Sequence, residues 1–284
     1  MRPLLGVLGL LLVALATLVV LAQRRWRAGS VALVARFRQA APGAVSARCG
    51  ASELRDLPDP VARYLGAALP EGQRRVRLAR LRQTGRFLVR PQDDAWAPFE
   101  ATQHLCARPT GFVWDARMRL GAGIAIRVRD SFVDGRGSMR ASLLGLIGLV
   151  SAQGTPELAA AALMRYLAEA AWLPTALLPA AGVVWSPLDA TASRATLGVA
   201  GTTVSLDFRF GKDGLVESVF AQARGREVEG RSVPTPWQGR WSEYAERHGM
   251  KVPLAGEVEW LLPEGPQVYW RGRVEAITYE YEAG

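Results

Sequence analysis

The chain has 284 residues, 49% of them hydrophobic, with 29 Gly and 17 Pro, a composition that excludes a disordered tail and suffices for one large core or two small ones. Its net charge is +9, and arginine carries nearly all of it, since Lys212 and Lys251 are the only lysines. No basic cluster is joined to a nucleic-acid motif, so nucleic acid is not an expected partner; a GC-rich genome and a cationic surface held against anionic headgroups both account for the arginines.

After Met1, Arg2 and Pro3, the run from Leu4 to Ala22 is nineteen residues without a charge, and Arg24, Arg25, Trp26 and Arg27 follow it. As a helix it reaches roughly 28 Å, close to the ~30 Å hydrocarbon core of a bilayer. A secretory signal has a shorter apolar core, which favours an uncleaved anchor over residues 1–27. The arginines after the run place the domain in the cytoplasm by the positive-inside bias, and that point stays open here. Residues 28–56 read as a juxtamembrane helix carrying Val31, Leu33, Val34 and Phe37, then a linker from Ala40 to Asp56. Residues 57–284 form the domain.

Asp59 and Pro60 start a short helix with Val61, Tyr64, Leu65 and Ala68 on one face. Strands with a period of two follow. Leu81, Gln83, Gly85, Phe87 and Val89 face away from Arg80, Arg82, Arg86 and Arg90. Phe112, Trp114, Ala116 and Met118 oppose Asp115, Arg117 and Arg119. Ile124, Ile126, Val128, Asp130 and Phe132 oppose Arg127 and Arg129. Such alternation predicts antiparallel strands with one wet face. Thr155 and Pro156 open the main helix, 156–172, which Pro174 stops. Strands resume near Val183, Arg194, Thr202 and Leu215, and a last hairpin turns around Pro263, Glu264, Gly265 and Pro266. If Trp260 faces Trp270 there, Glu259 meets Arg271 and Glu257 meets Arg273. The expected fold class is α+β: an N-terminal transmembrane helix, then a curved antiparallel β half-barrel covered by one main α-helix.

The sequence has no GxSxG elbow, HExxH, phosphate loop or dinucleotide fingerprint. His104 and His248 are the only histidines, too few for a zinc site or a histidine triad, so no metal and no cofactor is expected. Cys49 and Cys106 lack CxxC or metal spacing; a disulfide and two free thiols are both open. Two carboxylates stand out. Asp130 lies on the apolar side of its strand and must find a partner there. Glu169 follows Arg165 by one helical turn, a surface pair in an ordinary helix but a buried one if the helix lies inside the sheet. The apolar segments Leu143–Val150 and Trp172–Val184 read either as a hydrophobic lip or as packing around the helix ends.

Leu57–Leu65, Gly111–Trp114, Val133–Gly137, Arg165–Pro174 and Pro234–Trp237 with Gly239 and Tyr244 together resemble a bacterial family catalogued as a domain of unknown function, over roughly residues 55–280. That resemblance implies no catalytic residue. Asp213–Val216, Trp241, Tyr244 and Gly249–Pro253 are, more loosely, similar to the last third of the periplasmic lipoprotein carriers, curved half-barrels closed by helices. This likeness implies an extracytoplasmic domain in a bacterial cytoplasmic membrane. The expected function is a membrane-anchored, non-enzymatic binding or handoff module for a lipid or other apolar ligand in the concavity. Its candidate ligand-binding residues are Trp114, Asp130, Arg165, Glu169, Trp172 and Trp237. An enzyme using Glu169 and Asp130 with arginines, and a scaffold for another membrane protein, are the rival readings; membrane lipid or an apolar small molecule, and the membrane surface, are the expected partners. The sequence leaves the oligomeric state open.

Overall fold

In the computed structural model, residues 2–39, 46–121 and 123–283 are described; the first part of the expected linker, 40–45, lies outside them. Helix α1 (Arg2–Gln39) is continuous, about 57 Å at 1.5 Å per residue. Helix α2 (Asp59–Ala68) buries Val61, Tyr64, Leu65 and Ala68, the face that the spacing predicts. The strands are β1 (Val76–Arg90), β2 (Ala95–Cys106), β3 (Gly111–Gly121), β4 (Ile124–Val133), β5 (Arg136–Leu143) and β6 (Ile147–Gln153), then helix α3 (Pro156–Glu169). After short 3-10 turns at 170–181 come β7 (Val183–Asp189), β8 (Ala192–Val199), β9 (Thr202–Phe210), β10 (Val216–Val228), β11 (Arg231–Arg247), β12 (Met250–Leu262) and β13 (Gly265–Tyr281).

All thirteen strands form one open, curved antiparallel sheet, the expected half-barrel, in the order β6-β5-β4-β3-β2-β1-β13-β12-β11-β10-β9-β8-β7. Every strand pairs with a sequence neighbour except where β1 meets β13, so the domain begins and ends in the middle of its sheet. The two edge strands, β6 and β7, are joined through α3, which turns back into the concavity and touches β3, β4 and β5 on one wing and β9 and β10 on the other. Thr155 caps it by accepting from the Leu158 amide at 3.2 Å, and Pro156 takes the first position. The wings also meet: a Cβ on Gly135, after β4, would lie 2.3 Å from that of Ala200, after β8. Midway, Gly272 and Gly256 lie opposite each other under the Trp270 and Trp241 rings, which a Cβ would approach to 2.2 and 2.4 Å. Bare backbone there lets the indoles lie on the strands where the sheet bends.

The structure corrects two sequence expectations. In the last hairpin Trp260 pairs with Gln267 and Trp270 with Val258, because the turn is tighter, with Leu262 opposite Gly265, and a bulge follows Val258. Glu257 therefore meets Arg271, at 2.6 Å, whereas Glu259 takes Arg240 of β11 and Arg273 takes Glu243. The second correction concerns the arginine faces of β1, β3 and β4, expected to be wet. The second half of α1 lies on that convex face, where Val34 and Phe37 pack with Leu78, Cys106, Val113 and Val133.

Polar contacts fix the same docking. Trp26 Nε1 donates to Asp115 at 3.0 Å, and the Ser30 hydroxyl donates to the same carboxylate. Arg129 donates to Ser30 Oγ at 2.8 Å and to the Trp26 carbonyl, with its guanidinium 4.4 Å over the Trp26 ring. Farther along, Arg36 pairs with Asp134 and Arg38 with Glu280. From Ala22, which touches Gly145, to Phe37, which touches Gly111, α1 runs down the sheet. Its apolar first half projects past the β3–β4 junction and the turn at 144–146. Phe37 is 1% exposed, so Phe37→Ala should cost about 3–5 kcal/mol when the detergent-solubilised full chain is unfolded chemically. A loss below about 1 kcal/mol would detach α1 from the folded unit.

Candidate functional site

Inside the concavity, six side chains form one network, a directional chain of hydrogen bonds that ends on buried ion pairs. Trp114 Nε1 donates to Gln83 Oε1 at 2.9 Å, and Gln83 Nε2 donates to Gln103 Oε1 at 2.9 Å. Gln103 Nε2 donates to Glu169 Oε2. The other Glu169 oxygen accepts Arg165 Nε at 2.9 Å, and Arg165 Nη1 reaches Asp130 at 2.7 Å. The guanidinium also lies 5.0 Å from the centres of the Phe112 and Trp114 rings. Register explains the assembly: Gln103, Trp114 and Asp130 stand in line across β2, β3 and β4, and Gln83 of β1, opposite Ala101, is the diagonal neighbour of Gln103 on the same face. α3 delivers Arg165 and Glu169 from above.

The network is nearly sealed, with the side chains of Arg165, Asp130 and Glu169 only 16%, 13% and 10% exposed. Burial raises the Glu169 carboxyl above its ordinary value, against the pull of Arg165 and Gln103. Burial also works to lower Arg165, but Glu169 and Asp130 outweigh it and hold the guanidinium more firmly charged. An indole can only donate, so Trp114 sets the direction of both amides, and the chain must end on an acceptor. Glu169 supplies it. Any acid–base chemistry by this pair would first have to open the network.

Trp172 and Trp237 make no hydrogen bond to that network. Trp172 ends the helical segment and donates to the Pro253 carbonyl at 2.9 Å, with Trp241 edge-on at 4.8 Å. It and Leu173, Leu177 and Leu178 are at most 1% exposed, so residues 172–178 are packing and not a lip, whereas Val184 at the end of that segment is exposed. Trp237 belongs to an aromatic wall on β1, β11, β12 and β13. Its Nε1 donates to Tyr269 Oη at 2.8 Å, Trp260 stacks on Tyr269 at 5.6 Å, and Phe87 meets Tyr269 edge-on at 5.9 Å. Arg224 lies 5.1 and 5.4 Å from the Trp237 and Trp260 rings. Trp260, Tyr269 and Phe87 are only half-buried, and the Nε atoms of Arg224 and Arg226 are buried without a partner.

This wall lies toward the turns at 91–94 and 263–264. By register those turns share one end of the sheet with the β3–β4 junction and the turn at 144–146, beside which α1 leaves. At the same end Leu120, Ile124, Leu146, Ile147, Leu149 and Val150 are 40–61% exposed, so the segment Leu143–Val150 does present an apolar lip. On the convex face a groove of about 1120 Å³ runs between α1 and the sheet, lined by Arg27, Arg80, Arg82, Arg117 and Arg127 among others. Arg117 and Arg127 are direct cross-strand partners, a pairing of like charges that costs stability.

The profile of DUF6920, a family of unknown function, matches residues 55–279. The chain belongs to this family. Membership covers the sheet, α2 and α3, which is the extent that the sequence motifs suggest. A search of curated proteins finds no match to this DUF6920 chain. Among solved structures, the DUF6920 fold is similar to a Vibrio parahaemolyticus domain assigned to outer membrane lipoprotein sorting, at 6% identity and a TM-score of 0.39, over 83% of this chain and 94% of that one. It is similar also to a LolA superfamily protein from Nitrosomonas europaea, at 8% identity and a TM-score of 0.35, over 78% and 92%. A β-barrel-like protein of DUF1849 from Brucella abortus overlays at 10% identity and a TM-score of 0.24, over 72% and 99%. Overlays this loose leave the function of the DUF6920 domain to its own residues.

Four of the six residues singled out from sequence therefore meet in one network, and two serve elsewhere. Gln83 and Gln103 escaped notice as site residues, although two glutamines on apolar strand faces are a readable signal. His104 is packed near Arg80 and Arg38 and pushed down to about 4, chiefly by burial; His248 Nε2 contacts the Ile277 carbonyl at 3.1 Å. Cys49 and Cys106 are unbonded thiols. Glu169→Gln keeps a single acceptor oxygen, which the charged Arg165 takes, so its amide nitrogen would face the Gln103 amide, donor against donor, and Trp114 blocks both glutamines from turning. We expect a loss of about 1–3 kcal/mol in chemical unfolding. Trp114→Phe, which releases the constraint, should make the double substitution cost less than the sum of the singles; strict additivity would refute the directional chain.

Proposed function

We propose that the protein is a single-pass, membrane-anchored, non-enzymatic binding or handoff module. Its ligand is a lipid or other apolar molecule that enters the sheet concavity from the bilayer. One observation carries this reading: α1 is docked on the sheet beyond its apolar run, and the sheet end it passes has the exposed rim Leu120, Ile124, Leu146, Ile147, Leu149 and Val150. An apolar patch on a monomeric surface calls for a partner, and here the patch stands where the helix enters hydrocarbon.

The depth of the concavity is filled by α3 and the turns after it, so the ligand's place is the wall nearer the rim, at Phe87, Trp260 and Tyr269. Ligand sites are largely apolar and aromatic with a few polar groups that fix orientation; the unpartnered Nε donors of Arg224 and Arg226 suit that role. In this reading Trp237 lies behind the wall, and Trp114, Asp130, Arg165 and Glu169 form its floor. Trp172 holds that floor to β12.

A phospholipid carrying a photoreactive group at the end of an acyl chain tests the site in vesicles holding the full chain. Crosslinks to peptides of β12 and β13, lost in Trp260→Ala, are expected. Crosslinks confined to the apolar half of α1 would leave the concavity without a ligand and favour the scaffold reading.

A further inference from the structure

A second cavity, on the outer side of the sheet, has no place in the reading above. It measures about 410 Å³ and lies between α1 and the turn after β5, lined by Ala22, Arg25, Trp26 and Gly29 of the helix, Arg129 of β4, Arg140 of β5, and Gly145 and Leu146. Three guanidinium groups converge on it, and no carboxylate lines it. Arg129 and Arg140 are direct cross-strand partners, an arrangement that costs stability unless an anion lies between like charges. Arg129 is committed to the Trp26 carbonyl and ring and to Ser30. Arg25 and Arg140 are exposed, and among the described residues neither pairs with a carboxylate.

The height of the cavity names the anion. Ala22 ends the apolar run, and residues 25 to 29 stand about 4.5 to 10 Å beyond it along the helix. The headgroup layer of a bilayer is about 5–8 Å deep on each side of the hydrocarbon, so the cavity opens within or just above that layer. Trp26 has the place and the shape of an interfacial anchor. Leu146, 40% exposed, and Ala22 give the lower edge an apolar surface along which acyl chains can leave toward the hydrocarbon.

We propose that this cavity is a headgroup site for one anionic phospholipid, whose phosphate is held by Arg25 and Arg140 while Arg129 and Trp26 form its back wall. Arginine suits the task because its planar fork matches a phosphate with paired hydrogen bonds. The proposal rests on α1 crossing the bilayer and not on a ligand in the concavity. A lipid held here also keeps the domain seated on the membrane with its rim down.

Native mass spectrometry of the detergent-solubilised full chain tests it, with phosphatidylglycerol and phosphatidylcholine of equal chain length offered separately. One phosphatidylglycerol per chain should be retained at a concentration where phosphatidylcholine is not. Arg25→Ala with Arg140→Ala should weaken that retention about tenfold or more, and Lys212→Ala, on the turn after β9, should leave it unchanged. The inference is overturned if the double variant keeps the lipid, if phosphatidylcholine is held equally, or if Lys212→Ala weakens retention as much. It is overturned also if inorganic phosphate alone is retained and displaces the lipid, which would make the cavity a site for the free anion. None of these outcomes depends on acyl chains reaching the aromatic wall, so this proposal and the concavity reading fail separately.

Discussion

Arg129 is the contact on which the orientation of the molecule depends. It rises from β4 on the convex face, is buried, and spends its donors on the Trp26 carbonyl and Ser30 while its plane covers the Trp26 ring. Beside it Asp115 accepts from Trp26 and Ser30. A buried charge is stable only when paired and hydrogen-bonded, so this cluster tolerates little displacement of α1. A helix that would otherwise be a flexible tether thus becomes part of the domain. Its apolar half then points in one direction from the sheet, past one set of turns, and in the proposed function those turns face the bilayer.

The concave side obeys a different constraint. A sheet that curves this far must fill its interior, and the chain does so with α3, inserted between the two edge strands. Polar groups brought in with the helix are satisfied by strand residues in register with one another. Because the donor chain starts on an indole and ends on a carboxylate, the arrangement is specific as well as satisfied. Removing one partner costs more than the pair is worth in isolation. This gives the network a structural role beneath the aromatic wall and leaves its carboxylates little access to solvent.

Much of this was legible in the chain. The alternation at Phe112–Met118 and Ile124–Phe132 marks the strands, and Thr155–Pro156 marks the start of α3. Asp130 on an apolar face announces a buried partner, which is Arg165. Other features were not legible because the signal does not contain them. A period of two separates the faces of a strand but does not say what covers each, so arginines at 127 and 129 read as solvated although α1 lies over them. The tight turn that sets Leu262 opposite Gly265 displaced the expected Glu–Arg pairs, and the bulge after Val258, which then sets Glu257 opposite Arg271, has no local signature. Gln83 and Gln103 become meaningful only when register sets Gln103 in line with Trp114 and Asp130 and leaves Gln83 diagonal to it.

In the proposed orientation α1 holds the sheet end with Ile147 against the membrane. Depth-dependent quenching by spin-labelled phospholipids reads this directly, using a thiol-reactive fluorophore on Ile147→Cys or, for contrast, on Lys212→Cys in the full chain in vesicles, with Cys49 replaced by Ser and Cys106 buried. The label at 147 should be quenched from the headgroup and shallow acyl positions and the label at 212 should not be quenched. Equal protection of both labels would mean that the domain hangs free of the bilayer, and would contradict this orientation.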